Sequence, residues 1–360
     1  MKYIYLLLLL APFETTAQLN KATTMAFHSI FQTFFKPDEP GGAALVVRDN
    51  KIIYLDGFGI ADINTKSPIN TKTLFNVGSI SKTFVACGIL KLAEEGNLSL
   101  ADDLYKYFPD FKNAAIAKKI KLYHLLTHTS GIPDSRPVKE QHEFYLTAKD
   151  EENFAPLKQT DTLQFKPGTQ YRYSNPAFNG LALIIEKVTG KKWQQYISEN
   201  IFKPAGMTTS TITDGPHPET GVSHGYILND GNVFEELDYG EEPTFAAAGN
   251  GGVWSSVEEL WKYEQAIQQH KFFSIEWINK SRTVYPFTEW QDETPQRLGL
   301  SWFINKDSTS KSMIGHTGSQ GGFISDYCWW PEEKIFYVLL CNIPKPILEI
   351  RKKVYELAKK

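Results

Sequence analysis

Apolar residues recur at helical spacing near the start of the chain and through much of its middle, whereas compact apolar runs lie toward both ends. The helical spacing predicts helices over residues 19–35, 79–95, 120–127, 177–188, 193–202, 256–269 and 347–357. The compact runs predict strands over residues 43–47, 52–56, 298–304, 322–330 and 335–341. Ser256 followed by Glu259 also predicts a capping box at the start of one helix.

Strands at both ends with helices between them predict an α+β fold, in which the two termini build one sheet and a mainly helical lobe is inserted. We expect a single domain over residues 18–360. One lobe would comprise about residues 20–75 and 290–360, and the helical lobe about residues 76–289. Such a layout places a cleft where the lobes meet.

Charge and composition remove several classes of function. The chain has 360 residues, and its 38 Lys and Arg against 41 Asp and Glu give a formal charge of −3, so a basic nucleic-acid-binding protein is not indicated. Hydrophobic residues make up 42% and charged residues 22%, which are values of an ordinary globular protein. Disordered, collagen-like and multi-span membrane proteins are therefore excluded.

The first seventeen residues have the pattern of a signal peptide: Lys2, an apolar stretch over residues 3–12, and a small-residue cleavage site that ends at Ala17. We expect an exported protein, periplasmic or secreted, with no membrane span after the signal is removed; a retained amphipathic anchor is the alternative. Cys87, Cys328 and Cys341 are too few, and odd in number, for a disulfide framework. They are expected to be buried and unpaired.

The stretch Ser79-Ile80-Ser81-Lys82 carries the first candidate chemistry. If Ser79 begins the helix, Lys82 lies one turn on and reaches its hydroxyl, while the free N–H groups of the helix start stabilise negative charge. Lys82 acts as a base only if burial and neighbouring cations lower its pKa far below about 10.4. Ser-x-x-Lys alone is weak, because serine is a common helix N-cap, and a second copy, Ser308 to Lys311, has no apolar helix behind it.

Two later motifs add to this pair. In Tyr173-Ser174-Asn175 a phenol can relay a proton, and an amide can both donate and accept hydrogen bonds. His316-Thr317-Gly318-Ser319 opens a glycine-containing segment that a substrate can approach closely. Each motif alone is more often structural, with Tyr173 a packed aromatic residue and His316 a buried histidine. Their order after Ser79 and Lys82 favours a site.

Together these motifs resemble the serine β-lactamase and penicillin-binding-protein superfamily, on the branch of class C β-lactamases, D-alanyl-D-alanine carboxypeptidases, D-aminopeptidases and related esterases. The resemblance runs from about residue 25 to 345. It implies a β-lactamase/DD-peptidase-like fold, with an antiparallel sheet flanked by helices. Four further stretches support it: residues 124–133 (HLLTHTSGIP), 167–168 (PG), 204–207 (PAGM) and 251–255 (GGVWS).

Carried over position by position, the resemblance implies Ser79 as acylated nucleophile, Lys82 as its activating partner and Tyr173 as general acid and base. It further implies an oxyanion hole formed by the backbone N–H groups of Ser79 and Ser319. Substrate-binding roles follow for the remaining motif residues, Asn175, His316, Thr317 and Gly318. No metal or cofactor is expected, and the partner is a small-molecule or peptide substrate.

His316 departs from the Lys-Thr-Gly triplet usual in class C β-lactamases. A histidine with a pKa near 6.5 is mostly neutral at pH 7, so attraction for a substrate carboxylate is weaker. The sequence therefore favours a hydrolase of D-amino-acid peptides over an efficient antibiotic-destroying enzyme, with β-lactams and short-chain esters as alternatives.

Three other readings compete. A zinc hydrolase would use His124 and His128, but Leu125 stands where that motif needs glutamate. An α/β-hydrolase would need Gly-x-Ser-x-Gly, and the nearest stretch, residues 317–321, lacks the first glycine. A penicillin-binding or wall-binding protein that acylates once or never stays open, although such a protein has no chemical need for Ser79, Lys82 and Tyr173 together.

Overall fold

The computed structural model describes residues 21–138, 144–212, 221–237, 246–306 and 310–360. The expected signal peptide and Ser308 of the second Ser-x-x-Lys copy lie outside these residues. Among the described residues, no helix combines the length and the apolar composition needed to cross a bilayer.

The helices in chain order are α1 (Lys21–Gln32), α2 (Ser81–Glu94), α3 (Leu104–Tyr107), α4 (Ala114–Lys119), α5 (Leu122–Leu126), α6 (Phe144–Thr147), α7 (Asp150–Lys158), α8 (Asn175–Thr189), α9 (Trp193–Ile197), α10 (Lys203–Ala205), α11 (Val257–Gln268), α12 (Ile275–Ser281) and α13 (Ile347–Ala358). A 3₁₀ turn, Gly78–Ile80, leads into α2, and a π-helical turn, Ser198–Phe202, continues α9.

The strands are β1 (Gly42–Arg48), β2 (Lys51–Phe58), β3 (Ile60–Asp62), β4 (Ser67–Pro68), β5 (Phe75–Asn76), β6 (Thr211–Ile212), β7 (Tyr226–Leu228), β8 (Phe234–Glu236), β9 (Val253–Ser255), β10 (Phe303–Lys306), β11 (Ser312–Gln320), β12 (Phe323–Trp330) and β13 (Ile335–Cys341). The main sheet is antiparallel, in the order β10-β11-β12-β13-β1-β2. Both ends of the chain therefore contribute to it, and the predicted α+β class is confirmed.

Alternation along β1 explains why the sheet has helices on both faces. Ala43, Leu45 and Val47 point into the larger core with α2 and α11, whereas Ala44 and Val46 point into a second core with α1 and α13. Side chains of a strand alternate between faces, so an apolar strand requires cover on both.

The strand predicted over residues 298–304 is mostly wrong. Gly299 N–H donates to the Trp302 carbonyl at 2.8 Å, and Ser301 has a φ of +72°, so the chain turns there and only Phe303 and Ile304 join a strand. The capping box is half right. Ser256 Oγ accepts from Glu259 N–H at 3.3 Å, but the Glu259 carboxylate accepts from Thr209 and Ser210 N–H instead of returning to Ser256.

All three cysteines are buried and free, as expected, and Cys328 faces Tyr337 across the β12–β13 ladder. The zinc-hydrolase alternative would place His124 and His128 one turn apart on a helix, and this placement is wrong. Helix α5 ends at Leu126, and His128 has a left-handed φ of +57°, so the two rings do not share a helix face. His124 Nδ1 accepts from Lys121 N–H, and its ring stacks on Phe287.

Candidate active site

Ser79 lies in the 3₁₀ turn before α2, not in the helix itself, and a glycine on each side of the site makes this possible. Gly78 has a φ of +52°, and a Cβ there would lie 2.7 Å from the backbone nitrogen of Ser319. A Cβ on Gly318 would lie 2.1 Å from the Val77 carbonyl and 3.0 Å from the backbone nitrogen of Ser79. The two glycines therefore allow the serine turn and β11 to touch, which brings the backbone N–H groups of Ser79 and Ser319 to the same place.

Lys82 is the second residue of α2 and has no exposed surface. Its Nζ lies 3.0 Å from Ser79 Oγ and donates to the Asn250 carbonyl at 2.7 Å. Burial, reinforced by the Arg136 guanidinium, holds the pKa of Lys82 well below its ordinary value of 10.5. A neutral amine beside a serine hydroxyl can accept its proton.

Tyr173 and Asn175 approach Ser79 and Lys82 from the start of α8. Ser174 caps this helix, its Oγ accepting from Ala177 N–H at 3.3 Å, so the residues on either side of it emerge at the helix N-terminus. The centroid of the Tyr173 ring lies 5.1 Å from Lys82 Nζ. The Oδ1 atom of Asn175 is buried and accepts no hydrogen bond from the described part of the chain.

The edge formed by β11 alternates as a strand must. Thr317 and Ser319 are exposed, whereas His316 and Gly318 are buried. His316 donates from Nδ1 to the Thr317 carbonyl at 2.6 Å, and burial, followed by the nearby Lys82, lowers the pKa of its imidazole to about 3. His316 is therefore neutral, and the exposed polar groups of this edge are those of Thr317 and Ser319.

A cavity of about 440 Å³ opens where these elements meet. Its lining contains every sequence-predicted site residue except Lys82, which lies beneath it: Ser79, Tyr173, Asn175, His316, Thr317, Gly318 and Ser319. The remaining lining residues are aromatic or aliphatic: Tyr171, Phe303, Ile324 and Ile347. Among the described lining residues, none carries a formal charge at neutral pH.

Sequence reasoning did not find a buried network behind Lys82. The Asp150 carboxylate at the start of α7 accepts from Asn179 Nδ2 and from Gly249 N–H, both at 2.8 Å. Asn179 Nδ2 also donates to Asn250 Oδ1 at 3.0 Å, and Asn250 supplies the carbonyl bound to Lys82. No sequence motif joins these positions, and the burial of Asp150 cannot be seen in the sequence.

The fold is the one that β-lactamases and penicillin-binding proteins share, as the sequence resemblance implied. A family model for beta-lactamases matches residues 27–358, so the chain belongs to the beta-lactamase family.

Named relatives agree with this assignment. Penicillin-binding protein 4* of Bacillus subtilis (strain 168) is 27% identical over 310 residues, which are 82% of this chain and 66% of that protein, slightly under two thirds of its length. The octameric penicillin-binding protein homologue from Pyrococcus abyssi has a TM-score of 0.78 at 26% identity, covering 95% of this chain and 77% of the other. The D-amino acid amidase from Ochrobactrum anthropi SV3, solved with D-phenylalanine, has a TM-score of 0.77 at 20% identity, covering 94% and 100%, and shows a shared fold.

Proposed function

We propose that this protein is an exported serine hydrolase that cleaves small amides or esters through an acyl-enzyme on Ser79. The observation that carries the proposal is the contact of Lys82 with Ser79: a fully buried amine whose Nζ lies 3.0 Å from the hydroxyl oxygen. A structural lysine is rarely kept without water or a carboxylate partner, whereas a base for serine requires a depressed pKa.

The first half of the reaction forms an ester on the protein. Ser79 Oγ bonds to the substrate carbonyl carbon while its proton passes to Lys82 Nζ, and the backbone N–H groups of Ser79 and Ser319 stabilise the oxyanion. The bond from carbon to the leaving nitrogen or oxygen then breaks as Tyr173 delivers a proton to the departing atom. In the second half, water adds to the ester, the acid leaves, and the Ser79 hydroxyl is restored.

The cavity supports small substrates without a formal charge at the β11 edge. Neutral His316 offers no cation to a carboxylate, and the aromatic and aliphatic lining suits an apolar side chain. Asn175 Oδ1 is a preformed acceptor for a substrate amide N–H. D-amino-acid amides and peptides are the first candidates, followed by β-lactams and short-chain esters. The likeness of the fold to a D-amino acid amidase supports this order.

The proposal predicts that Ser79→Ala removes turnover and covalent labelling without unfolding the protein. The purified protein is tested with D-phenylalanine amide, D-alanyl-D-alanine, a chromogenic cephalosporin and p-nitrophenyl butyrate, and acylation is followed by intact-mass spectrometry. Ser308→Ala, in the other Ser-x-x-Lys copy, is the matched control and should keep full activity.

The outcomes separate the candidate functions. Repeated turnover with a transient adduct on Ser79 supports the hydrolase. A stoichiometric adduct that never clears supports a penicillin-binding protein that acylates once, the alternative that the named relative favours. Full labelling of the Ser79→Ala variant overturns the nucleophile assignment. Export is tested by the intact mass of the protein recovered from cells, which should correspond to a chain that begins at Gln18.

A further inference from the structure

His128 holds a backbone conformation that its side chain makes unfavourable. It lies two residues beyond the end of α5 with a φ of +57°, in the left-handed region that non-glycine residues seldom adopt. Its side chain is 2% exposed. Residues kept in such conformations when buried are often fixed by surrounding contacts at functional sites, so the contacts of His128 decide what it does.

His128 is hydrogen-bonded to both sequence neighbours of Tyr173. The carbonyl oxygen of His128 accepts from Arg172 N–H at 2.9 Å, and its Nδ1 accepts from Ser174 N–H at 3.0 Å. One residue thus binds the backbone N–H groups of the two residues that flank Tyr173, and its left-handed backbone lets carbonyl and ring act on the same short segment.

The imidazole also contacts the tyrosine ring directly. The His128 and Tyr173 rings are stacked, with centroids 4.3 Å apart and planes 27° from parallel. The Tyr173 ring therefore contacts His128 and also lies 5.1 Å from the Lys82 amine. His128 therefore constrains both the backbone around Tyr173 and the Tyr173 ring.

We propose that His128 is a positioning residue that holds Tyr173 where its phenol can exchange a proton with the Ser79–Lys82 pair. This inference rests on the proposed function, because it assigns to His128 an effect exerted only through Tyr173. The position of the phenol affects the reaction rate, because displacing a reacting group by about 1 Å can lower the rate about 10²-fold.

The charge state of His128 fits this role. Because Nδ1 accepts the Ser174 N–H, the neutral ring carries its proton on Nε2. Burial, followed by the nearby Lys82 and His316, holds the pKa of His128 well below its ordinary value of 6.5. The other titratable ring packed against it is that of Tyr171. His128 therefore supports Tyr173 without placing a second cation beside Lys82.

Two substitutions test the hydrogen bond of His128 and its ring contact separately. His128→Phe keeps a stacking ring but removes the acceptor for Ser174, and His128→Asn keeps an acceptor and tolerates the left-handed backbone but removes the ring. We expect the acylation rate with p-nitrophenyl butyrate to fall about 10- to 100-fold in His128→Phe and less in His128→Asn, with KM little changed. The matched control is His124→Phe, because His124 is also buried and also accepts a backbone N–H through Nδ1, but its ring packs on Tyr123 and Phe287 instead of Tyr173.

A double-mutant cycle with Tyr173→Phe is the decisive measurement. Tyr173→Phe keeps the ring and removes the phenol, with an expected loss of about 10²- to 10⁴-fold. If His128 acts through the phenol, His128→Phe adds no further loss of rate in that background, although both variants lower the unfolding temperature. Multiplicative losses would overturn the positioning role and leave the proposed function intact. A normal rate in Tyr173→Phe would instead remove Tyr173 from the mechanism. If His128→Phe does not fold, the same cycle is run with His128→Asn.

Discussion

Lys82 is a lysine kept without contact with water. Lysine is seldom fully buried, because the cost of desolvating its ammonium is large. Here burial and the Arg136 guanidinium both favour the neutral amine. Arg136 is held in place by Asp134, to which it donates from Nε at 2.9 Å and from a terminal nitrogen at 2.8 Å, and by Asn153 Oδ1 at 2.6 Å.

Removing the positive charge of Arg136 should therefore shift the pH dependence of the reaction. A lowered pKa keeps Lys82 neutral at pH values below 10.5, and activity is lost as pH falls through that lowered pKa. In Arg136→Gln the pKa of Lys82 rises, so the acid limb of kcat/KM for a neutral ester should move to higher pH. Arg136→Lys should keep the limb near its original position.

The control for this experiment is Arg297→Gln, which removes an exposed cation. Thermal unfolding of each variant shows that the fold is kept. An acid limb that stays in place in Arg136→Gln would mean that burial alone sets the pKa of Lys82.

The proximity of Ser79 and Lys82 was predictable because it is local: three residues along one helical turn fix it. The partners of Lys82 were not. Asn250 contributes a backbone carbonyl, which any residue type could supply. Arg136 acts through its charge, and the sequence pattern does not show that this charge lies near Lys82. Local spacing predicted the Ser79–Lys82 pair that we propose to react, while the groups that tune it depend on tertiary contacts.

The segment Gly249–Gly251 connects the elements of the site. Asp150 on α7 binds Gly249, Lys82 on α2 binds Asn250, and Gly251 accepts from Asn76 Nδ2 at 3.0 Å, whose Oδ1 in turn accepts from Gly78 N–H. Lys82 and the turn that carries Ser79 are thus linked by hydrogen bonds, through one short segment, to Asp150 on α7.

Asp150 should therefore affect both stability and acylation. Asp150→Ala leaves two buried donors, Asn179 Nδ2 and Gly249 N–H, without an acceptor, at an expected cost of about 2 to 3 kcal/mol in the free energy of unfolding, together with slower acylation. Asp150→Asn keeps an oxygen at the same position and should restore most of the acylation rate. Urea unfolding and stopped-flow acylation measure the two effects.

The same carboxyl should make stability depend on pH. Burial raises the pKa of Asp150 to about 7, whereas an unfolded aspartate titrates near 3.9. Between these values the folded state holds one more proton than the unfolded state, so its stability falls as pH rises, by up to about 1.4 kcal/mol per unit. Relative to Asp150→Asn, the natural protein should lose stability from pH 4 to 7. The exposed Glu151→Gln control should show no such trend, and equal slopes in Asp150→Asn and the natural protein would contradict the assignment.

Strand β11 shows where pattern reading failed. Apart from Ile314 and Thr317 it consists mostly of glycines and polar residues without the side chains that mark strands, and its neighbours β10 and β12 secure it through their backbone ladders. Strand β13, which is buried and apolar throughout, was predicted with correct bounds because its pattern is intrinsic. Among the long strands of the main sheet, the one that forms a wall of the cavity is thus the one that the pattern did not predict.

The sheet is assembled from both ends of the chain and covered by the first and last described helices. Helix α13 is tied to it by Arg351, which donates from Nε to Asp326 at 2.8 Å and forms a second bond from its terminal nitrogen. Asp326 has no exposed surface and pairs with Thr317 across the β11–β12 ladder. The Asp326–Arg351 ion pair therefore joins helix α13 to strand β12, the neighbour of the strand that lines the cavity.

Breaking this pair should destabilise the whole fold. Arg351→Met leaves the Asp326 carboxylate buried and unpaired, at an expected cost of about 3 to 5 kcal/mol at pH 7. Because burial already raises the pKa of Asp326, part of the loss should be recovered as pH falls and the carboxyl is protonated. Lys353→Met on the same helix breaks an exposed pair with Glu349 and a cation–π contact with Phe34, and should cost about 1 kcal/mol. Equal losses in the two variants, measured by urea unfolding, would refute this account.

The contact of Gly78 with Ser319 has a consequence for the protein while the ribosome is still making it. The serine emerges early and β11 emerges late, so a nascent chain presents its alcohol long before the second N–H group of the proposed oxyanion hole has been synthesised. Under the proposed mechanism, a prematurely terminated product carries an inert hydroxyl, and only chains whose translation has gone past Ser319 become reactive.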